Sequence, residues 1–421
     1  MRGTNSQYNK TTNLRLILNI LTKQGAVPRI EIAKQTYLTK QTISNLTDTL
    51  DKAGLIQELG VKRKGVGKPT TQLSLNPNGA YSIGIRVRST LIEAAIYNIA
   101  GQQIAYHRFP LERIEADKLA DILEEICNML MLKNHIDKTK ILGIGLVLPA
   151  SNRFSQVKDK SLSKDILELE EISKNIQKQL NDKIELPVIV ENIASAVASK
   201  ETFYGAAKDL KSFVYIYLGH SIDASFIFDK NIFIGYNGVA GRLGHLIVET
   251  DGRECSCGNY GCLNQYASLS ALEKYISKRL KTQIKIADIL GNAEKYEKHL
   301  ALWFEDMSEA MRVGINSLEN LFNAETIILG SDAPDWFLDR FIRVLRPFLP
   351  SVAQYSNRAL PRLIRAPSDE KSAIKGAATL PIYFALTQDK QQLSTEQNED
   401  FLESPIDRII ALIEHKQKAI V

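Results

Sequence analysis

The stretch HLIVETDGRECSCGNYGC, residues 245–262, brings one imidazole and three thiols into a single short segment. Four nitrogen and sulfur donors complete a tetrahedral zinc shell, and Gly258 and Gly261 permit the close turns that such a shell needs. His245, Cys255, Cys257 and Cys262 are therefore expected to bind Zn2+. A full shell leaves no open position for water, so the ion is expected to be structural and not hydrolytic. The competing reading is of buried or reactive thiols beside an unrelated histidine. The remaining cysteine, Cys127, falls in the helical pattern Ile122 to Met131 and reads as a core residue. Thiols spaced this closely suit a metal better than disulfides, which fits a reducing, cytoplasmic compartment.

The rest of the chain has the composition of a globular protein. Of its 421 residues, 44% are hydrophobic and 24% charged, which excludes full-length disorder, collagen-like repetition and a small disulfide scaffold. This length corresponds to roughly two to four domains. No uncharged apolar run approaches the about 18 residues of a membrane helix, and Met1 to Lys10 is too polar for a signal core.

Charge is unevenly distributed. Residues 1–80 carry 12 Lys/Arg against 4 Asp/Glu, whereas the remainder carries 41 against 44. A basic head on a mildly acidic body points to a polyanionic partner. Leu14, Ile17, Leu18 and Leu21 share one helical face, and Gly25 ends that helix. A second helix is expected to start with Pro28 at its first helical position and to run through Ile32 and Ala33. After a break at Tyr37-Leu38, Thr39 suits the N-cap of a third helix with Ile43, Leu46 and Leu50 inward.

That third helix turns Lys40, Gln41, Thr42 and Asn45 outward, where such side chains reach phosphates or base edges in a major groove. Gly54 to Glu58 and Thr71 to Leu75 read as strands on either side of a basic, glycine-rich loop. Lys62, Arg63, Lys64 and Lys68 would there grip phosphates or a minor groove. The pattern is a winged helix-turn-helix over residues 1–80 that binds double-stranded DNA. A protein-binding three-helix bundle with a solvated loop is the alternative.

The winged helix, Gly244-His245, the run Cys255-x-Cys257-Gly-x-x-Gly261-Cys262 and Glu191-Asn192 together resemble the repressor branch of the ROK family (repressors, open reading frames and sugar kinases). The resemblance extends from about Asn13 to Leu386. It implies an α/β body with the actin-like, two-lobed sugar-kinase (ribonuclease H-like) fold and a sugar cleft between the lobes. Residues 81–195, completed by about 370–388, would form the first lobe, and 196–369 the second lobe with its zinc knuckle. Independently, Tyr81 to Tyr97, Ile141 to Leu148, Val188 to Val190, Phe213 to Leu218 and Thr326 to Leu329 read as strands alternating with helical stretches.

The parts that make a ROK kinase are replaced. Where the first phosphate loop would read Asp-x-Gly-Gly-Thr, this chain has Arg86-Val87-Arg88-Ser89-Thr90. Where the second resembles Gly-Thr-Gly-x-Gly-Ala, it has Gly219-His220-Ser221-Ile222-Asp223-Ala224, with a carboxylate where phosphates would lie. The general base of Glu-Asn-Asp-Ala becomes Ile193, which accepts no proton. No catalytic residue is expected, and the chain is expected not to be an enzyme.

By the same resemblance, three carboxylates that would pair with sugar hydroxyls are replaced by Ile193, Arg242 and Asn264, while Asn192 and His245 remain. Arginine recognises carboxylate or phosphate through its planar fork. The expected effector contacts are Asn192, Arg242, His245 and Asn264, and the expected effector is a sugar or a sugar-derived, anionic compound. The alternative is a degenerate cleft in which Arg242 pairs with Asp223 or another acid.

Residues 389–421 are expected to form a polar linker and then an amphipathic helix with apolar positions at Ile406, Ile409, Ile410 and Ile413, docked on its own chain. Head-bearing regulators commonly bind pseudo-palindromes as dimers, and the family resemblance likewise implies a homodimer or homotetramer. The function expected from all this is transcriptional regulation, repressing carbohydrate uptake or catabolism genes. Control of a DNA-bound regulator by a protein partner and an ATP-dependent sugar kinase are the rivals.

Overall fold

The computed structural model describes residues 6–62, 70–112, 115–149, 162–236, 238–354, 359–367, 371–387 and 405–418. The head consists of α1 (Ser6–Gln24), β1 (Val27–Pro28), α2 (Arg29–Thr36), α3 (Lys40–Lys52), β2 (Ile56–Lys62) and β3 (Thr70–Leu75). Its antiparallel sheet runs β1-β3-β2. Leu14, Ile17, Leu18, Leu21, Ile32, Ile43, Leu46 and Leu50 are all buried in one core, as their helical spacing requires. Thr39 caps α3, accepting from the Thr42 backbone N–H at 3.1 Å. Pro28 departs from expectation. It stands outside α2 as the N-cap and pairs with Gln72 in the sheet, where its extended backbone is better used than in a first helical turn.

Next come β4 (Tyr81–Arg88), β5 (Leu91–Asn98), β6 (Gln103–Pro110), α4 (Ala116–Lys133), β7 (Ile141–Val147), α5 (Leu162–Ile184), β8 (Val188–Val190) and α6 (Ile193–Tyr204). The expected strand Tyr81 to Tyr97 is two strands, folded back at Ser89-Thr90 so that Arg88 pairs with Leu91. Their sheet runs β6-β5-β4-β7-β8, antiparallel through β4 and parallel beyond it. Cys127 is fully buried on α4, in the core expected for it.

The second half contains β9 (Phe213–Leu218), β10 (Ile222–Phe228), β11 (Asn231–Ile232), α7 (Asn264–Ala267), α8 (Leu269–Leu280), α9 (Ile286–Gly291), α10 (Ala293–Phe322), β12 (Thr326–Ser331), α11 (Asp335–Val344) and β13 (Leu363–Arg365). Its sheet, β11-β10-β9-β12-β13, repeats the order and sense of the first: an antiparallel meander of three strands, then two parallel ones. Two copies of one sheet topology make the paired lobes of the ribonuclease H-like architecture. After β13 the chain returns to the first lobe as α12 (Ser372–Thr387), which packs on β4, β5 and β7. Glycines in those strands allow it. A Cβ on Gly84 would lie 2.4 Å from the Ala378 nitrogen, and one on Gly145 would lie 1.9 Å from the Ala377 oxygen.

The head is packed directly on the body. Arg15 on α1 donates from Nε to the Ala385 carbonyl of α12 at 2.7 Å, and the Lys23 ammonium lies 5.7 Å from the centre of the Phe203 ring on α6. The last described helix, α13 (Pro405–Lys418), closes the junction. Its Ile409 and Ile413 are buried in the same cluster as Ile43, Leu46 and Leu50 of α3. Arg408 donates to the carbonyls of Ile141 and Lys138 at 2.6 and 2.7 Å. The tail helix therefore docks on its own chain, touching both body and head. The expected linker lies outside the described residues, and of Ile406 only the backbone is described.

Candidate effector cleft, metal centre and DNA interface

The metal segment follows β11 through a one-turn 3₁₀ helix, Leu243–His245. Antiparallel bridges Ile247 to Cys262 and Glu254 to Tyr260 fold it back on itself. Gly261, at φ +75°, passes so close to Glu249 that a Cβ would lie 1.7 Å from its carbonyl oxygen, so only glycine fits. The four donor atoms of His245, Cys255, Cys257 and Cys262 all lie within 4.8 Å of one another. Cys257 Sγ and Cys262 Sγ are 3.5 Å apart, and Cys255 Sγ is 3.8 Å from His245 Nδ1. A tetrahedral shell with sulfur at about 2.3 Å places its donors about 3.8 Å apart. The three cysteines are buried, and the set is able to hold a metal.

Protonation follows from these surroundings. Burial would raise the Cys255 thiol, but hydrogen bonds from Cys257 and Gln265 outweigh it and hold the group below its ordinary value. Burial pushes the Cys262 thiol well up. Burial and then the Arg242 cation hold the His245 imidazole below its usual value, favouring the neutral form that ligates metals. The knuckle is anchored to the lobe by Arg253, which pairs with Asp306 of α10 and lies over the Tyr266 ring at 4.3 Å.

The interlobe cleft is built from the N-terminus of α6, strand β10 and residues 241–245. Side chains on β9 and β10 alternate between two cores. Ile216, Leu218, Ile222, Ala224 and Phe226 pack among the helices of the second lobe, whereas Tyr215, Tyr217 and Ile227 belong to the core shared with α6 and α12. Ser225 Oγ meets Ser195 Oγ of α6 at 3.2 Å. Asp223, in register with Tyr217, carries its carboxyl on this same first-lobe face. Asn192 caps α6, its Oδ1 accepting from the Ser195 N–H at 2.8 Å. Burial pushes the neighbouring Glu191 carboxyl up to about 7.

Of the expected effector residues, Asn192, Arg242 and His245 gather around this cleft. Arg242 is exposed, and its charge acts on both His245 and Asp223. Asn264 is used differently. Its Oδ1 accepts from the Ile222 backbone N–H at 2.7 Å, and it fills the space where a Cβ on Gly244 would lie, 2.3 Å away. The amide oxygen is thus committed to bracing the cleft wall. The sequence motifs mark Asp223 as an obstacle to phosphate and as a possible ion-pair partner of Arg242, and its period-two relation to Ser225 is the available signal that it faces the cleft.

The first phosphate-loop position is filled by Arg86. Its guanidinium pairs with Asp332 beyond β12 at 2.6 Å, donates to the Tyr217 hydroxyl at 3.1 Å and lies 3.7 Å from Glu93. Burial alone would lower its pKa, but these partners hold it above the ordinary arginine value. A fixed internal cation thus occupies the stretch that resembles the kinases' first phosphate loop.

On the head, Lys40, Gln41 and Asn45 are exposed and Thr42 is half-buried. Gln41 Nε2 donates to Asn45 Oδ1 at 3.1 Å, and the Thr42 and Thr39 hydroxyls are 2.8 Å apart. The β2–β3 hairpin is present, with Lys62 paired to Thr70. Of Lys62 only the backbone is described, and Arg63, Lys64 and Lys68 lie outside the described residues. The sequence places Tyr37 in the break before the third helix and gives it no role. It is 95% exposed, with φ +57°, in the turn that leads into α3.

The family model described as ROK family matches residues 82–382, most of the chain. The chain belongs to the ROK family. It is 27% identical over 323 residues to the xylose repressor of Bacillus spizizenii, covering 76% of this chain and 82% of that protein. It is 24% identical over 384 residues to the DNA-binding transcriptional dual regulator NagC of Escherichia coli, covering 87% of this chain and 91% of that one. The crystal structure of a ROK family transcriptional regulator, a homolog of the E. coli MLC protein, aligns with a TM-score of 0.70 at 20% identity, over 96% of this chain and 99% of that one. That last likeness carries the fold of head and body alike. Among the described residues, no helix is long and apolar enough to cross a membrane.

Proposed function

We infer that this ROK protein is a sugar-responsive transcriptional regulator acting as a repressor. The observation that carries the reading is the path of α6. It begins in the cleft at Asn192, and Phe203 near its far end packs under Lys23 of the head. Its 12 residues span about 18 Å as one rigid rod. A ligand that binds one lobe arrangement better than another shifts their populations. The head, seated on α6 and α12, follows that shift.

In this reading Gln41 and Asn45 read base edges, Lys40 and Thr42 contact phosphates, and Tyr37 flanks them at the mouth of the recognition helix. The cations Lys62, Arg63, Lys64 and Lys68 hold the backbone alongside. Zn2+ on His245, Cys255, Cys257 and Cys262 fixes the cleft wall and takes no part in chemistry. Phosphoryl transfer is lost: Ile193 replaces the base, and Arg86 with its partners fills the phosphate position. The active species on DNA is a homodimer or homotetramer, one head per half-site.

The test is fluorescence anisotropy with full-length protein and DNA from upstream of its own gene, backed by selection from whole-genome fragments. Binding that weakens steeply between low and moderate salt is expected. Failure to enrich any fragment would overturn the reading.

A further inference from the structure

We propose that Asp223 is a binding residue for the effector, its carboxylate accepting hydroxyl hydrogens from an uncharged, polyhydroxylated sugar while Arg242 balances its charge. This rests on the reading of the interlobe cleft as an effector site. It assigns the ligand's charge class from a residue outside the motif positions that carry the family's hydroxyl-binding acids.

Placement on β10 supplies the first argument. Ser225 is fixed against the first turn of α6 by its 3.2 Å contact with Ser195. Asp223 lies two residues back on the same strand face, about 7 Å along, and is half-buried where Ser225 is buried. The hydrogen bond from the Ala224 N–H to the Gly241 carbonyl, 2.7 Å, ties the strand to the 241–245 segment. Asp223 and Arg242 therefore flank one backbone contact. Gly241 also faces Asn192, whose Nδ2 would lie 3.5 Å from a Cβ built there. Asp223, Arg242 and Asn192 are thus neighbours of one glycine: the first through the strand bond, the second in sequence, the third through its amide.

Hydrogen-bonding capacity supplies the second. A carboxylate accepts about four hydrogen bonds, and Ser221 Oγ, 3.2 Å from Oδ2, takes one. Arg242 acts on Asp223 through its charge, and among the described residues no ion pair or hydrogen bond joins the two, so the guanidinium donors are not taken up by it. Acceptors and donors side by side match a hydroxyl group, which both gives and takes a hydrogen.

Charge supplies the third. An anionic ligand was expected from Arg242 alone. With Asp223 beside it the fixed charges cancel, and Glu191, pushed up to about 7 by burial, adds a partial negative charge near neutrality. A site of this composition gains nothing from a negative ligand and pays no Coulomb penalty for a neutral one.

The experiment is isothermal titration calorimetry of the full-length protein with xylose, glucose and N-acetylglucosamine, and with glucuronate, N-acetylneuraminate and glucose 6-phosphate. The proteins are wild type, Asp223→Asn, Asp223→Ser and Arg242→Gln, each checked for native thermal unfolding. A neutral sugar should bind wild type and lose about 10- to 100-fold in both Asp223 variants, the effect of one hydrogen bond to a charged group. Equal binding of that sugar by wild type and both Asp223 variants would overturn this inference and leave the effector reading standing. Selective binding of an acidic sugar, abolished in Arg242→Gln, would do the same. No binding of any of the six to wild type would overturn both.

Discussion

Nη2 of Arg86 lies 2.6 Å from Oδ2 of Asp332, joining the end of β4 in the first lobe to the residue after β12 in the second. The Arg86 side chain is only 11% exposed, and Tyr217 and Glu93 complete its surroundings. The pair joins the two lobes at the stretch that resembles the first phosphate loop of the ROK kinases. Two consequences can be measured. Mg-ATP should leave the thermal unfolding of wild type unchanged, and no phosphoryl transfer to any sugar should be detected. Asp332→Ala should cost about 2–3 kcal/mol in urea denaturation, below the range for breaking a fully buried pair because the Asp332 side chain is 30% exposed and Tyr217 and Glu93 remain.

The metal knuckle predicts stoichiometry and a selective defect. Protein purified without chelator should contain one zinc per chain by elemental analysis. Cys262→Ser should lose it and lower the unfolding temperature, since a structural zinc contributes directly to folding. Because the knuckle forms a wall of the cleft and not of the head, DNA binding should survive while any response to sugar is lost.

Recognition by α3 predicts two distinguishable failures. Asn45→Ala and Gln41→Ala should each weaken operator binding by about 1–3 kcal/mol and relax preference at one base pair, because they remove base-edge contacts. Lys40→Ala should weaken binding to all sequences alike and reduce the slope of log K against log salt by about 1. Anisotropy titrations over a set of single-base operator variants separate the two patterns.

Lys23 makes the head–body junction sensitive to pH. Burial, and then the Lys230 cation, lowers its pKa from the ordinary 10.5 to about 8, against a smaller opposing pull from Asp209. The folded form therefore binds fewer protons than the unfolded chain between about 8 and 10.5, and its stability rises with pH through that window. Relative to Lys23→Met, which has no such charge, wild type should gain unfolding temperature between pH 7.5 and pH 9.5. A constant difference between the two proteins would contradict this.

The tail helix should matter to both neighbours. Ile409 is fully buried between body and head, so Ile409→Ala should cost about 2–4 kcal/mol. Deleting α13 should also speed proteolysis between head and body, as followed by mass spectrometry.

Local structure was readable where residues a few positions apart decide it. The knuckle donors, the Thr39 cap, the inward face of α3 and the buried Cys127 all follow from spacing and side-chain chemistry. Pro28 was misread because its strand partner Gln72 is supplied by a distant hairpin. Asn264 stands out by motif position, but that its amide oxygen accepts from Ile222, a tertiary neighbour 42 residues away, is not visible there. The Arg86–Asp332 pair spans 246 residues and α13 reaches back to α3, so neither has any signature in local pattern. The alternation on β10 did hold the cue for Asp223, but only once that stretch is known to be a strand between two cores.

The central claim is that a sugar in the cleft controls a head bound to DNA. The most direct measurement is anisotropy of the preformed protein–operator complex, at fixed salt, during titration with the six sugars and the unrelated polyol glycerol. Release by one sugar, abolished in Asp223→Asn although that protein still binds DNA, is the predicted result. A complex unmoved by every sugar, yet dissociated by a protein fraction from cell lysate, would contradict it.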